Sequence, residues 1–172
     1  LDFYRPITGS IHSDRFLWLG RYSERRAPDL AVEACKRAGV GLDLRGPKTW
    51  PGCPEQKADY GEFCRALTVG CGQIKVRGPL DRGQTVKAFG EAVCLLHTNA
   101  RLREPFGMTP VEAQACGCPA VCWRSGGPTE TVVDGETGWL VDSLDGMVER
   151  IKEIKRGGVP DSMRKRCREW IA

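Results

Sequence analysis

The chain predicts an α/β fold in which a parallel sheet carries helices on both faces. Short runs rich in branched and aromatic residues alternate with longer stretches of helical spacing, which is the order of repeated βαβ units. Turn-forming glycines and prolines fall between the runs, several of them one residue past a helical stretch, where glycine caps a helix end. Finally, 172 residues with 41% hydrophobic content supply enough apolar surface for one core and hardly for two.

Taken in order, strands are expected at Phe16–Gly20, Val40–Arg45, Gln73–Arg77, Val93–His97, Ala120–Trp123 and Trp139–Val141. Helices are expected at Pro28–Ala38, Glu55–Leu67, Gln84–Ala92, Met108–Cys116, Leu144–Ile154 and Asp161–Ile171. Pro28, Pro110 and Pro128 each stand in the first turn of a helical stretch, where a missing N–H costs nothing. In such a fold ligands bind beyond the carboxyl ends of the strands.

No apolar run approaches the roughly 18 residues of a membrane span, and the N-terminus lacks a charged-then-apolar signal pattern. The expected location is therefore cytoplasmic. Nine cysteines with no Cys-x-x-Cys pair fit neither a clean disulfide set nor a zinc knuckle. Cys35, Cys94, Cys116 and Cys122 fall on expected core elements, where a thiol serves as a small hydrophobe, whereas Cys53, Cys64 and Cys71 lie in a less regular region where pairing is open. The two histidines, His12 and His97, are far apart in the chain, and His97 reads as a structural residue at a strand end.

The densest chemistry lies in Glu104-Pro-Phe-Gly107-Met-Thr-Pro-Val-Glu112, which places two carboxylates across a glycine turn that opens a helix. Unpaired N–H groups and the positive dipole end at Gly107, Met108 and Thr109 suit an anionic phosphate, and Gly107 allows close backbone approach. Glu112, a turn further in, has the acceptor lone pairs to take both hydroxyls of a ribose. Glu104 stands on the preceding loop, within reach of whatever the far end of the phosphate carries. The plainer reading is a solvated helix carboxylate and a loop charge that complements the dipole.

Gly20-Arg21 closes the first strand, with Arg25 and Arg26 following, so guanidinium groups stand at the same sheet edge as the Gly107 turn. Their planar forks suit a diphosphate. Gly46-Pro-Lys48 and Val76-Arg-Gly-Pro-Leu-Asp81 end two further strands in turns. Gly126-Gly127-Pro128 forms a second glycine turn before Thr129 and Glu130, suited to a second anion or hydroxyl site or simply to a capping carboxylate.

The Glu104-x7-Glu112 block, followed by Ala115-Cys-Gly-Cys-Pro-Ala-Val121, Gly126-Gly-Pro-Thr-Glu130 and Asp134-Gly-Glu-Thr-Gly-Trp-Leu-Val141, resembles the C-terminal half of a family 4 glycosyltransferase of the GT-B fold. Phe16-Leu-Trp-Leu-Gly-Arg-Tyr-Ser23 and Pro28-Asp-Leu-Ala-Val-Glu-Ala34 resemble that domain's first strand, glycine-arginine turn and first helix, so the likeness runs from Phe16 to about Arg150. It implies a Rossmann-like, donor-binding domain over residues 16–172, entered by an interdomain linker that ends over residues 1–15. The opening Leu1-Asp-Phe-Tyr-Arg-Pro6 resembles that linker, and the acceptor-binding half is expected to lie outside this sequence.

The resemblance further implies transfer of a hexose of the mannose or glucose type, with retention, from a UDP-, GDP- or ADP-linked sugar, without metal or other cofactor. Arg21 takes the family's phosphate-binding arginine position, and Arg26 falls where the family usually has lysine. By the same resemblance Gly20, Phe106, Gly107, Met108, Thr109 and Glu112 belong to nucleotide-sugar binding, Leu80 lies against the nucleobase, Glu130 is a further donor-side or acceptor-side contact, and Glu104, Arg21 and Arg26 act in the transfer itself. No protein nucleophile is implied, unlike a retaining glycosidase.

Two other classes compete. A stand-alone nucleotide-sugar-binding regulatory module would need no partner half. A nucleic-acid-binding domain is suggested by Lys152, Lys155, Arg156, Arg164, Lys165, Arg166 and Arg168, part of a net charge of +4. Those residues alternate with Glu153 and Glu169, aromatics are few and no RNA-binding signature occurs. A solvated helix face is the first reading there, and attraction to an anionic membrane carrying a lipid-linked acceptor the second.

Overall fold

The computed structural model describes residues 3–4, 14–47, 60–101 and 103–172. Among them the chain runs β1 (Arg15–Leu19), α1 (Pro28–Ala38), β2 (Gly41–Arg45), α2 (Tyr60–Leu67), β3 (Ile74–Arg77), α3 (Arg82–Glu91) and β4 (Leu95–His97). It continues through α4 (Met108–Ala115), β5 (Ala120–Trp123), α5 (Pro128–Thr131), β6 (Gly138–Val141), α6 (Leu144–Gly157) and α7 (Asp161–Ile171). The described strands pair in parallel, in the order β3-β2-β1-β4-β5-β6. The chain thus builds outward from β1 in one direction, then returns to β4 on β1's other side and builds the opposite way. That reversal opens a crevice at the carboxyl ends of β1 and β4, the place where open α/β sheets hold ligands.

Alternation along the strands feeds two cores. Phe16 and Trp18 of β1, Leu42 and Leu44 of β2, Leu96 of β4 and Val121 of β5 pack with Val32 and Cys35 of α1 and Met147 and Ile151 of α6. Leu17, Leu95, Ala120 and Cys122, one residue out of phase, face Val86 and Phe89 of α3 and Ala113 of α4. This period of two is what places helices on both faces.

The expected elements are found, with shifts at their ends. α3 begins at Arg82 because Asp81 accepts from the Gln84 amide while the Gln84 side chain accepts from the Asp81 amide, a reciprocal capping box. The expected residues 55–59 of α2 and the residues Lys48, Cys53 and His12 lie outside the described residues.

Cys35, Cys94, Cys116 and Cys122 are buried, as expected of small hydrophobes. Cys64 and Cys71, left open to pairing, are free thiols, and Cys64 is buried on α2. The basic C-terminal helix is only partly a solvated face. Arg164 is 7% exposed, and its guanidinium donates to the Gly117 and Val93 carbonyls beneath the sheet, at the end opposite the crevice. Arg166 pairs with Glu136 and Lys165 with Glu169.

Candidate functional site

Beyond the carboxyl ends of β1, β2 and β3, facing the start of α4, lies a cavity of about 350 Å³. One wall is the turn after β1, with Leu19, Gly20 and Arg21, and the single 3₁₀ turn Glu24–Arg26 contributes Arg26. Gly46 and Pro47 after β2 and Pro79 and Leu80 after β3 form a second wall, and Thr109 and Glu112 of α4 a third. Six of the ten expected site residues, Gly20, Arg21, Arg26, Leu80, Thr109 and Glu112, therefore line one cavity.

The other four divide. Glu104 lines an adjoining cavity of about 260 Å³ with Arg103, Gly127, Thr129 and Glu130, and touches the first group through Arg26. The side chains of Phe106 and Met108 are half exposed and line neither cavity, so only their backbone is placed to take part. Gly107 caps α4 at φ 84°, a left-handed conformation natural to glycine, and no side chain caps that helix start. Its first amides are thus left without a side-chain acceptor at a positive dipole end.

Arg26 is positioned from beneath. The Trp18 indole donates to the Thr98 hydroxyl at 3.0 Å, and that hydroxyl donates to the Arg26 carbonyl at 3.1 Å. Arg26 is followed by Ala27, the one described residue other than glycine with left-handed backbone (φ 47°), fully buried between the 3₁₀ turn and α1. Non-glycine residues adopt that conformation at a cost and only where packing enforces it.

Nη1 of Arg26 donates to Oε2 of Glu104 at 2.5 Å, and Asn99 Nδ2 donates to the same oxygen at 2.6 Å. The loop carrying both residues is tied to α1 by Arg101, whose two terminal nitrogens donate to the two carboxylate oxygens of Asp29 at 2.9 and 2.8 Å. Burial works to raise the Asp29 pKa, and hydrogen bonds from Arg101 and Tyr60 outweigh it and hold the carboxyl below its usual range.

Glu112 is half-buried and its pKa is raised, chiefly by burial, against the lowering influence of the Tyr4 hydroxyl and the Arg82 charge. His97, at the end of β4, is 5% exposed, and burial followed by the nearby charge of Arg26 pushes its pKa down to about 3. It is a neutral core residue, as its strand-end position suggests.

The second glycine turn has a packing role. Gly127 lies so close to the Phe106 backbone that any Cβ there would strike it, and its amide donates to the Glu104 carbonyl at 2.7 Å. The turn is the back wall of the Glu104 loop. The Glu130 side chain does not cap α5, which spans only Pro128–Thr131, and instead lines the smaller cavity.

Sequence reasoning missed Tyr4, Thr85, Thr98 and Asn99. The Asp81-x-x-Gln84 box would have drawn the start of α3 and so brought Thr85 to the site. Nothing local marks the others.

Chemically, the larger cavity has cationic side chains at one edge, backbone donors at a helix start and a half-buried carboxylate at the far side. It suits a ligand with anionic and hydroxyl-rich parts.

Comparisons with known proteins agree with this fold. A D-inositol 3-phosphate glycosyltransferase of Acidothermus cellulolyticus is 30% identical over 177 residues, an alignment that covers 92% of this chain and 38% of that protein. The sucrose-phosphate synthase of Thermosynechococcus elongatus superposes with a TM-score of 0.82 at 22% identity, covering 99% of this chain and 45% of the other. Anabaena HepE in complex with UDP and glucose gives 0.80 at 18%, covering 99% and 48%. The chain spans well under half the length of that curated relative, and its fold is one half of these larger GT-B structures. Residues 9–170 match the model of the family described as glycosyl transferases group 1, and the chain belongs to that family.

Proposed function

We propose that this chain is the donor-binding domain of a retaining glycosyltransferase that takes a hexose of the mannose or glucose type from a nucleoside-diphosphate sugar. The observation that carries the reading is the single cavity, at the sheet's reversal point, shared by Arg21, Arg26, Thr109 and Glu112. HepE, of the same fold, was solved with UDP and glucose, which supports a nucleotide sugar as the ligand class here.

In this reading Arg21, Arg26 and the first amides of α4 hold the diphosphate and stabilise its growing charge as the glycosidic bond opens. Glu112 accepts from the ribose hydroxyls. Gly20 and Leu80 border the nucleoside, with Leu80 against the base. Glu104, with the backbone of Phe106, Gly107 and Met108, orients the sugar so that the acceptor attacks the face from which the phosphate departs. The acceptor would bind a second domain closing over the crevice, and two arginines with a helix start meet the diphosphate charge without a metal.

Calorimetric titration with UDP, GDP, ADP and their sugar conjugates, with and without magnesium, tests the reading. Metal-independent binding of one nucleotide, weakened in Glu112→Ala and in Arg21→Ala, is the expected result. Nucleotide binding that is indifferent to both substitutions would reject the site.

A further inference from the structure

We propose that Asn99 is a positioning residue of the sugar site: its side-chain amide occupies one oxygen of the Glu104 carboxylate and so presents the other to the hydroxyls of the donor sugar. The inference rests on the donor-site reading above.

Asn99 is 4% exposed, and its Nδ2 donates to Oε2 of Glu104 at 2.6 Å. An ionised carboxylate only accepts, so the nitrogen is the end of the amide that must face it. Arg26 Nη1 donates to the same oxygen at 2.5 Å, while none of the described residues donates to Oε1. Two donors thus converge on one oxygen and leave the lone pairs of the other for a ligand. Glu104 lines the smaller cavity, which adjoins the proposed diphosphate site.

The two donors differ in what else they do. Arg26 also lines the larger cavity, where an anionic ligand competes for its guanidinium. Asn99 is neutral, lines neither cavity and is pinned from both sides. Thr98 before it is fully buried and bonded to Trp18 and to the Arg26 carbonyl, and Arg101 after it holds Asp29 through both terminal nitrogens. Asn99 is therefore the donor that stays on Glu104 when a diphosphate draws Arg26 away. Because the bond is already made in the free protein, the ligand is spared part of the entropy of fixing a long side chain.

The charged groups around Glu104 are Arg26 from the 3₁₀ turn, Arg103 from its own loop and Glu130 from α5 across the smaller cavity. His97, at the end of β4, is neutral, its pKa pushed down to about 3. All four are the same in the parent and in an Asn99 variant, so comparison at equal pH isolates the amide.

The test uses the whole 172-residue chain and calorimetry of UDP against UDP-glucose and of GDP against GDP-mannose. Asn99→Leu, of similar bulk and without a donor, should weaken the nucleotide-sugar Kd by roughly threefold to tenfold and leave that of the bare nucleotide within about twofold. The unchanged nucleotide Kd shows that the variant is folded. Asn99→Asp keeps the shape and sets a second carboxylate against Glu104. At neutral pH the like charges repel and the extra affinity conferred by the sugar is lost. On acidification the pair takes up one proton, the new O–H donates in place of the amide, and the extra affinity returns relative to the parent. A residue that merely packs would show no such return, and if Asn99→Leu does not fold, that return decides alone. An unchanged nucleotide-sugar Kd overturns the proposal, as does an equal loss for nucleotide and nucleotide sugar, or a loss in Asn99→Asp that acid does not reverse. If the parent binds no nucleotide, the donor-site reading falls and this inference with it; if it binds nucleotide but gains nothing from the sugar, or the Asn99 variants are silent, only the inference falls.

Discussion

Arg26 and Glu104 are 78 positions apart in the chain and 2.5 Å apart in the fold, guanidinium nitrogen to carboxylate oxygen. Their side chains are 29% and 14% exposed, so the pair is largely shielded from water and less screened than a surface ion pair. The bond holds Arg26 at the rim between the two cavities. It also places a negative charge beside the proposed diphosphate site, so the two residues should separate in their effects on binding.

Arg26→Ala should weaken nucleoside diphosphate binding by roughly tenfold or more, the scale of a lost hydrogen bond to a charged group. Glu104→Gln should leave diphosphate affinity within about twofold, since it removes a like charge and keeps the shape, but should abolish any extra affinity conferred by the sugar. Calorimetry with nucleotide and nucleotide sugar side by side reads both. Equal losses in the two ligands for Glu104→Gln would show that Glu104 serves only to hold Arg26.

The parts of this site that were legible in the sequence are those set by local chemistry. Arg21 follows a strand and a glycine, and Glu112 follows a glycine turn by one helical turn, so each could be placed from its neighbours. The strands were legible because branched and aromatic residues favour them, and their parallel pairing followed from alternation with helices. Thr98, Asn99 and Tyr4 reach the site only through the sheet reversal and long-range packing, which no local pattern encodes. Arg164 was misread for the same reason: its helix reads as a solvated face until the fold buries one arginine against the Gly117 and Val93 carbonyls.

Gly46 should not tolerate a side chain. A Cβ there would fall on the carbonyl of Gly20, and both glycines belong to the turns that wall the cavity. The obstacle is backbone, already pinned by the Gly20 amide donating to the Arg45 carbonyl at 3.0 Å, and cannot swing aside like a long side chain. Gly46→Ala should cost about 1–3 kcal/mol, the usual range for overpacking, and displace the Gly20-Arg21 turn. Denaturant unfolding with nucleotide titration checks it. Stability and affinity both equal to the parent's would contradict the close approach.

Thr98→Val tests how Arg26 is held. The substitution keeps the shape of a fully buried residue, while leaving the Trp18 indole without its acceptor and the Arg26 carbonyl without its donor. A loss of about 1–3 kcal/mol in stability is expected, from groups left unsatisfied in a buried place. A smaller loss of nucleotide affinity should accompany it, because Thr98 contacts only the Arg26 backbone. Lost affinity with intact stability would assign Thr98 to the ligand instead.

His97 should make the fold sensitive to mild acid. Its pKa is pushed down to about 3 in the folded chain, first by burial and then by Arg26, whereas the unfolded chain's histidine titrates near 6.5. Between those values the unfolded state binds a proton that the folded state does not, so stability contributed by neutral His97 is present above about pH 6.5 and lost as the pH falls below it. The slope attributable to this one group approaches about 1.4 kcal/mol per pH unit. His97→Leu, which has similar bulk and does not titrate, removes that slope and leaves the acid sensitivity of the carboxylates in place. The side chain is 5% exposed and its Nε2 has no hydrogen-bond partner among the described groups, so little bonding is lost in the exchange. Urea unfolding of both proteins between neutral and mildly acid pH should show the parent losing stability faster. Parallel curves would mean that His97 takes up its proton in the folded state as readily as in the unfolded one.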